Sequence, residues 1–226
     1  MRLPPLVLGF FTAVAAMLAL DPASGAASAD PSAFVIAFGS QINRVLEDRS
    51  LTPTERRQRF GDVLVQGLDF PRISCFVLGS YWQGSNDSYR LQFIGVFEQF
   101  LTQTLLSRFS AYSSDTLYVT GTRPEGENSI LVMTLVLYPN GEPHEELDWR
   151  LRNARGGFEI EDVSDSGVSL AQLYRDDFAG IITRDGGQVA GLIPEMQEKL
   201  DKPAIKPVAG TKPDQDRNVP VSDCAI

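Results

Sequence analysis

The chain is 226 residues long, with a formal net charge of −9 and 43% hydrophobic residues. A chain of this size suits a single domain with a sizeable core, since domains commonly run to ~100–200 residues. The acidic balance argues against nucleic-acid binding, which depends on neutralising phosphates with lysine and arginine. It also argues against adhesion to an anionic membrane surface by charge alone.

The N-terminus predicts secretion. Arg2 precedes an apolar run over residues 6–20, and small residues then lead to Ala27-Ser28-Ala29. A charged region, a short apolar region and a cleavage motif in this order are typical of a signal peptide. The apolar run is shorter than the about 20 residues that a membrane-spanning helix needs. We therefore expect residues 1–29 to be removed and the mature chain to be soluble.

Four helices are predicted next, each with apolar residues at helical spacing. The first covers residues 32–48, and the second follows the capping box Thr52-Pro53-Thr54-Glu55. The third begins at Pro71. The turn Gly84-Ser85-Asn86-Asp87, in which Ser85 or Asp87 is the expected cap, leads into a long helix over residues 88–110. That helix is apolar over so much of its surface that more than one neighbour must cover it.

The apolar pattern then changes from helical to alternating. A short strand is predicted at residues 116–120. Short turns then separate three longer strands, at residues 130–138, 147–152 and 158–163, which predict an antiparallel meander. Helix returns after the capping pair Ser169 and Gln172, and a last helix is predicted over residues 189–200. Prolines and polar residues dominate positions 201–226, which we expect to be a disordered tail. Residues 30–200 are thus the predicted domain.

The chain has two cysteines, Cys75 in an apolar helical segment and Cys224 near the C-terminus. Secretion permits a disulfide. We nevertheless favour a buried free Cys75 and an incidental Cys224 over a bridge.

Signals for catalysis are weak. The only histidine, His144, falls in a predicted turn, where we expect it to be solvated. Asp162 and Asp165 near a strand end are better explained as capping or solvated residues than as paired acids. No phosphate-binding glycine loop and no zinc-ligand spacing occurs in the sequence. We therefore predict no enzymatic activity, no cofactor and no metal.

The segment at residues 130–138 is apolar on both faces, so neither face is expected to meet water. It is either ordinary core or one wall of an apolar cavity between a curved sheet and helices. A register error of one residue would exchange the two faces. We take Leu131, Met133 and Leu135 as cavity-facing, and Val132 and Val136 as core.

Three stretches together resemble a known family by their order and spacing over residues 34–200. They are Val77-Leu78-Gly79-Ser80-Tyr81-Trp82; the long helix with Arg90, Phe93, Phe97, Leu101 and Phe109, leading to Tyr112; and Asp162-Val163, Gly167-Val168-Ser169, Arg175, Phe178, Ile181, Gly186-Gly187 and Leu192-Ile193. The sequence resembles the MlaC-like, toluene-tolerance family of periplasmic phospholipid-binding proteins, including its hopanoid-associated branch.

This resemblance implies an α+β fold, NTF2-like in broad outline, in which helices wrap a strongly curved antiparallel sheet and enclose an apolar cavity. It implies a monomeric carrier of a phospholipid or hopanoid-like lipid. The implied partners are an inner-membrane ABC-type transport complex and an outer-membrane lipoprotein. The candidate cavity residues are Val77, Tyr81, Phe97, Leu101, Leu105, Leu131, Met133, Leu135, Trp149, Phe178 and Ile181.

Two other functions stay open. An envelope enzyme on a similar fold would need an ionisable group with a shifted pKa inside the cavity. Asp148 or Asp162, near Trp149, Tyr81 or Tyr138, would be the place to find it. A structural adaptor would instead use its tail to bind another envelope protein.

Overall fold

A computed structural model describes residues 30–110, 116–154 and 156–201. The expected signal peptide, the tail from residue 202 onward, and Cys224 lie outside the described residues. Within the described part of the chain, no helix is long and apolar enough to cross a membrane.

The described residues form seven α-helices and five β-strands. The helices are α1 (Pro31–Glu47), α2 (Pro53–Gly67), α3 (Phe70–Leu78), α4 (Ser80–Gly84), α5 (Asp87–Phe109), α6 (Leu170–Arg184) and α7 (Leu192–Asp201). The strands are β1 (Thr116–Glu125), β2 (Ser129–Leu137), β3 (Pro143–Ala154), β4 (Gly157–Asp165) and β5 (Val168–Ser169). The predicted segments are found in the structure, and β1, β3 and β4 are longer than expected. His144, expected in a turn, lies within β3.

Side-chain caps explain where the helices begin. The capping box of α2 is confirmed: the Glu55 amide donates to Thr52 Oγ1 at 3.3 Å, and the Thr52 amide donates to Glu55 Oε2 at 2.9 Å. The cap of α5 is Asn86, whose Oδ1 accepts from the Tyr89 amide at 2.9 Å. The prediction of Ser85 or Asp87 at that position is therefore wrong by one residue, because all three residue types are good caps.

The short helix α4 was not predicted. Gly79 separates it from α3 with a positive φ of 54°, a conformation that favours glycine. The Arg175 guanidinium of α6 lies about 3.0–3.3 Å from the position that a Cβ at Gly79 would occupy. Residue 79 is therefore held to glycine by both backbone conformation and the approach of α6.

The strands form one antiparallel sheet in the order β1-β2-β3-β4-β5, which confirms the predicted meander. The sheet is not closed into a barrel. Irregularities interrupt its pairing between Val119 and Gly121 on β1 and between Arg150 and Leu151 on β3. Bulges of this kind increase the local twist of a sheet. The predicted mixed α+β fold is confirmed.

The helices cover one face of the sheet. Helix α1 lies against β1 and β2, and α2, α3 and α6 lie against β4. Val132, Leu151 and Ile160 on this inner face are fully buried. The outer face carries Asp148, Arg150 and other charged side chains of β3, because residues adjacent in a strand point to opposite faces.

Aromatic rings fill the space between α5 and α6. Phe93 and Phe97 of α5 stack with centroids 5.6 Å apart, and Phe97 meets Phe178 of α6 edge-on at 5.7 Å. Tyr174 lies 5.8 Å from both Phe97 and Phe178. This interface is tightly filled core.

The prediction that Cys75 is a free thiol is wrong. Cys75 is buried in α3 and is disulfide-bonded. Cys224 is the other cysteine that the sequence contains. Because a cross-link stabilises a protein largely by restricting the unfolded chain, the protein is expected to be sensitive to reduction.

Candidate functional site

A cleft of about 420 Å³ lies between α1 and the inner face of the sheet. One wall belongs to α1 and the other to the first three strands. The lining residues are Ile36, Gly39, Ser40, Ile42, Asn43, Arg44 and Glu47 of α1, Phe109 at the end of α5, and Thr116, Leu117, Val136, Leu147 and Trp149 of the sheet.

The sheet wall consists mainly of apolar side chains, and the polar groups of Trp149 and its neighbour Thr134 are already hydrogen-bonded. Trp149 is 4% exposed, and its Nε1–H donates to Thr134 Oγ1 at 3.1 Å. The Thr134 hydroxyl in turn donates to the Leu147 carbonyl at 2.6 Å. The Trp149 ring also meets Phe38 of α1 edge-on, with centroids 5.9 Å apart. This wall therefore presents hydrocarbon to the cleft, with no unmet hydrogen-bonding demand from Trp149 or Thr134.

Gly39 sets how closely α1 approaches the sheet. A Cβ at this position would lie 3.2 Å from Leu117 Cδ2, which is tighter than an ordinary contact. One turn earlier, Ile36 lines the cleft with 45% of its surface exposed. An apolar side chain with that exposure beside an apolar wall is suited to contact an apolar ligand.

The polar residues of the cleft belong mainly to α1. The Ser40 hydroxyl donates to the Ile36 carbonyl at 2.7 Å, and Arg44 Nε donates to the Ser40 carbonyl at 3.3 Å. Arg44 and Glu47 are exposed, and within the described part of the chain they are the charged residues that line the cleft. The cleft thus joins an apolar wall to a polar rim.

Of the eleven candidate cavity residues, Trp149 lines this cleft. Phe97 and Phe178 belong to the aromatic core between α5 and α6. Five others lie on helices away from the cleft lining and are packed in or against the hydrophobic core: Val77, Tyr81, Leu101, Leu105 and Ile181. Their expected contact with lipid stays a prediction.

The remaining candidates lie on the outer face of the sheet. Leu131, Met133 and Leu135 pair in register with Arg150, Asp148 and Glu146 of β3. Val132 and Val136 lie on the inner face, and Val136 lines the cleft. Leu131, Met133 and Leu135 therefore face away from this cleft, because successive residues of a strand point to opposite faces of the sheet. Their expected contact with lipid stays a prediction.

None of the three acids considered for catalysis, Asp148, Asp162 and Asp165, is among the described residues that line the cleft. Asp162 is 5% exposed and accepts a hydrogen bond from the Ala171 amide at 3.0 Å, near the start of α6. Burial raises its pKa, and hydrogen bonds to its carboxylate oppose that shift. Burial also raises the pKa of Asp148, with a smaller contribution from Glu146. Both residues lie on the outer face of the sheet, so neither shifted pKa prepares an acid for chemistry in the cleft.

Sequence reasoning missed most of the α1 wall. The first helix was predicted, but Ser40, Asn43 and Arg44 have no motif that marks them as site residues. The one signal in the sequence was that polar residues interrupt the apolar face of the first helix within one turn.

No group of three or more potential metal ligands comes together among the described residues.

The comparisons with known proteins agree on one family. A family profile described as MlaC protein matches residues 38–198. The intermembrane phospholipid transport system binding protein MlaC of Haemophilus influenzae is 25% identical over 132 residues. That alignment covers 57% of this chain, and the chain spans 61% of the length of this curated relative.

A solved structure shows the same fold. The phospholipid-binding protein from Ralstonia solanacearum, determined in complex with a phospholipid, superposes with a TM-score of 0.66 at 23% sequence identity. The superposition covers 76% of this chain and 97% of that one. Because the family profile spans well over half of the 226 residues, the chain belongs to the MlaC family.

Proposed function

We propose that this protein is a periplasmic lipid carrier, not an enzyme, and that it holds a phospholipid acyl chain in the cleft between α1 and the sheet. Membership of the MlaC family supports the carrier role, as do the phospholipid-related names of the two relatives. The observation that carries the placement of the ligand is the apolar sheet wall formed by Leu117, Val136, Leu147 and Trp149.

The cleft is large enough for this role. Its volume of about 420 Å³ falls within the ~300–1,000 Å³ of small-molecule sites. Each acyl methylene that leaves water contributes ~0.8 kcal/mol. About ten buried methylenes would therefore contribute ~8 kcal/mol, from which the entropic cost of association is subtracted. Burial of hydrocarbon would thus be the main driving force for holding a lipid, and this role requires no catalytic group.

The proposal extends to transport. The protein would leave the cytoplasm with its first 29 residues removed, act as a monomer, and carry its lipid between an inner-membrane transport complex and an outer-membrane lipoprotein. A phospholipid is the proposed cargo, and a hopanoid-like lipid is the alternative. The described part of the chain has no helix suited to span a membrane, which is consistent with a carrier that works between the two membranes.

Native mass spectrometry of the protein purified from an envelope fraction tests this function. The account predicts a monomer that begins at Asp30 and carries a stoichiometric phospholipid, identified by its fragment masses. A bound molecule with the mass of a hopanoid-like lipid would identify that lipid as the cargo and would still support the carrier function. Protein isolated without detergent that carries no lipid would contradict carriage itself.

A further inference from the structure

We propose that Arg44 and Glu47 form a headgroup site at the rim of the cleft, and that this site favours phospholipids whose headgroup holds both a phosphate and a primary ammonium. The inference rests on the proposed function, since it names the lipid class that the same cleft would carry. It concerns selectivity, which neither the family nor the cleft volume determines.

The two residues are placed together by α1. They are three positions apart, and residues at this spacing are neighbours on one side of a helix, with Cβ atoms about 5–6 Å apart. Both line the cleft and both are exposed. The described residues provide no ion pair for either side chain, whether with each other or with a third group. A positive and a negative charge therefore stand side by side at the rim.

The orientation of Arg44 is partly fixed. Its Nε donates to the Ser40 carbonyl at 3.3 Å, one turn back along the helix. The terminal guanidinium nitrogens remain as donors, and a guanidinium binds phosphate oxygens in a bidentate geometry. The polar end of a lipid whose acyl chain lies on the apolar wall would be favoured at this rim, because the charged side chains among the described lining residues are Arg44 and Glu47.

Glu47 gives the site its selectivity. Beside a phosphate bound at Arg44, a carboxylate attracts an ammonium group and repels a second negative charge. Glycerol-type anionic headgroups offer no cation to pair with Glu47. Among the described residues that line the cleft, no other side chain is charged. A headgroup whose phosphate and ammonium are two carbons apart is complementary to both charges at once.

A loading competition tests the proposal. The mature protein is incubated with vesicles containing equal amounts of phosphatidylethanolamine and phosphatidylglycerol with identical acyl chains, reisolated, and its lipid quantified by mass spectrometry. We expect the unaltered protein to load phosphatidylethanolamine with a preference of about two- to fivefold, the range for partly exposed charge pairs. Glu47→Gln should abolish this preference. Arg44→Gln should lower the loading of both phospholipids relative to diacylglycerol in the same vesicles.

Matched controls separate the rim from general charge effects. Arg123→Gln removes an exposed arginine from β1. Glu127→Gln removes an exposed glutamate from the turn between β1 and β2, whereas the cleft residue Thr116 lies at the other end of β1. Both should retain the preference, and Glu47→Asp should retain it in part. Thermal unfolding confirms that each variant folds.

The outcomes distinguish this inference from the carrier function. Equal loading of the two phospholipids by the unaltered protein would overturn the headgroup site and leave carriage standing. A Glu47→Gln variant that loads less of both phospholipids, with their ratio unchanged, would overturn the headgroup site in the same way. A protein that loads no lipid from any vesicle would overturn the carrier function and the headgroup site together.

Discussion

Replacing Trp149 with alanine is expected to lower the free energy of unfolding by about 3–5 kcal/mol, the usual cost of deleting a buried large aromatic side chain. The Trp149 side chain is 4% exposed on the inner face of the sheet. Its edge-on contact with Phe38 joins the sheet to α1, and its Nε1–H bonds Thr134. Truncation therefore removes packing on both sides of the cleft. Urea unfolding followed by circular dichroism measures the loss.

Two companion variants show which part of the side chain matters. Trp149→Phe keeps most of the ring and loses the hydrogen bond, while Thr134 keeps its bond to the Leu147 carbonyl. We expect this variant to lose about 1–2 kcal/mol. Tyr138→Ala truncates an aromatic residue that is 42% exposed and should cost about 0.5 kcal/mol or less. If Trp149→Ala costs no more than Tyr138→Ala, the inner face of the sheet has been misassigned.

Placing a charge at Ile36 is expected to empty the cleft without unfolding the protein. Ile36 is 45% exposed and lines the cleft. Since it is not part of the buried core, Ile36→Asp should change stability little. The carboxylate would, however, lose its hydration against a bound acyl chain, and burying a charge unpaired is costly. We expect the fraction of protein that co-purifies with lipid to fall about tenfold, which corresponds to ~1.4 kcal/mol of lost affinity.

Val65→Asp provides the matched control. Val65 is 49% exposed on α2 and is not among the cleft residues, so the same chemical change is made at similar exposure. Lipid content and melting temperature are measured for both variants. Equal lipid loss from the two would show that added charge, and not the position on the cleft wall, determines retention.

Local chemistry made much of the fold predictable. Thr52 and Glu55 are three residues apart in a pattern that satisfies the first amides of a helix, so the start of α2 could be read directly from the sequence. The meander was equally accessible, because alternating segments with short turns leave little choice of topology. The structure adds α4, whose start depends on Gly79 and on the approach of Arg175 from a distant helix.

The orientation of β2 was not predictable, because both of its faces are apolar. Leu131 is 7% exposed even though it lies on the outer face, between Arg123 of β1 and Arg150 of β3. Long arginine side chains can cover an apolar neighbour with their hydrocarbon stems while their charged ends reach water. An apolar residue can therefore be buried without facing the helices, and hydrophobicity alone does not identify the inner face.

The cleft itself depends on contacts between distant parts of the chain. Gly39 and Leu117 are separated by more than seventy residues, yet their close approach fixes the space between α1 and β1. No local pattern encodes that distance. The disulfide at Cys75 was missed for a related reason, since local sequence does not show which cysteines a fold brings together.

Photo-crosslinking with a phospholipid that carries a diazirine near the end of one acyl chain tests the central claim most directly. The mature protein is loaded with this lipid and irradiated, and the modified residues are located by peptide mass spectrometry. The account predicts adducts on the walls of the cleft, at Ile36 and Ile42 of α1 and at Leu117, Val136 and Leu147 of the sheet. Adducts confined to the outer-face residues Leu131, Met133 and Leu135 would contradict it.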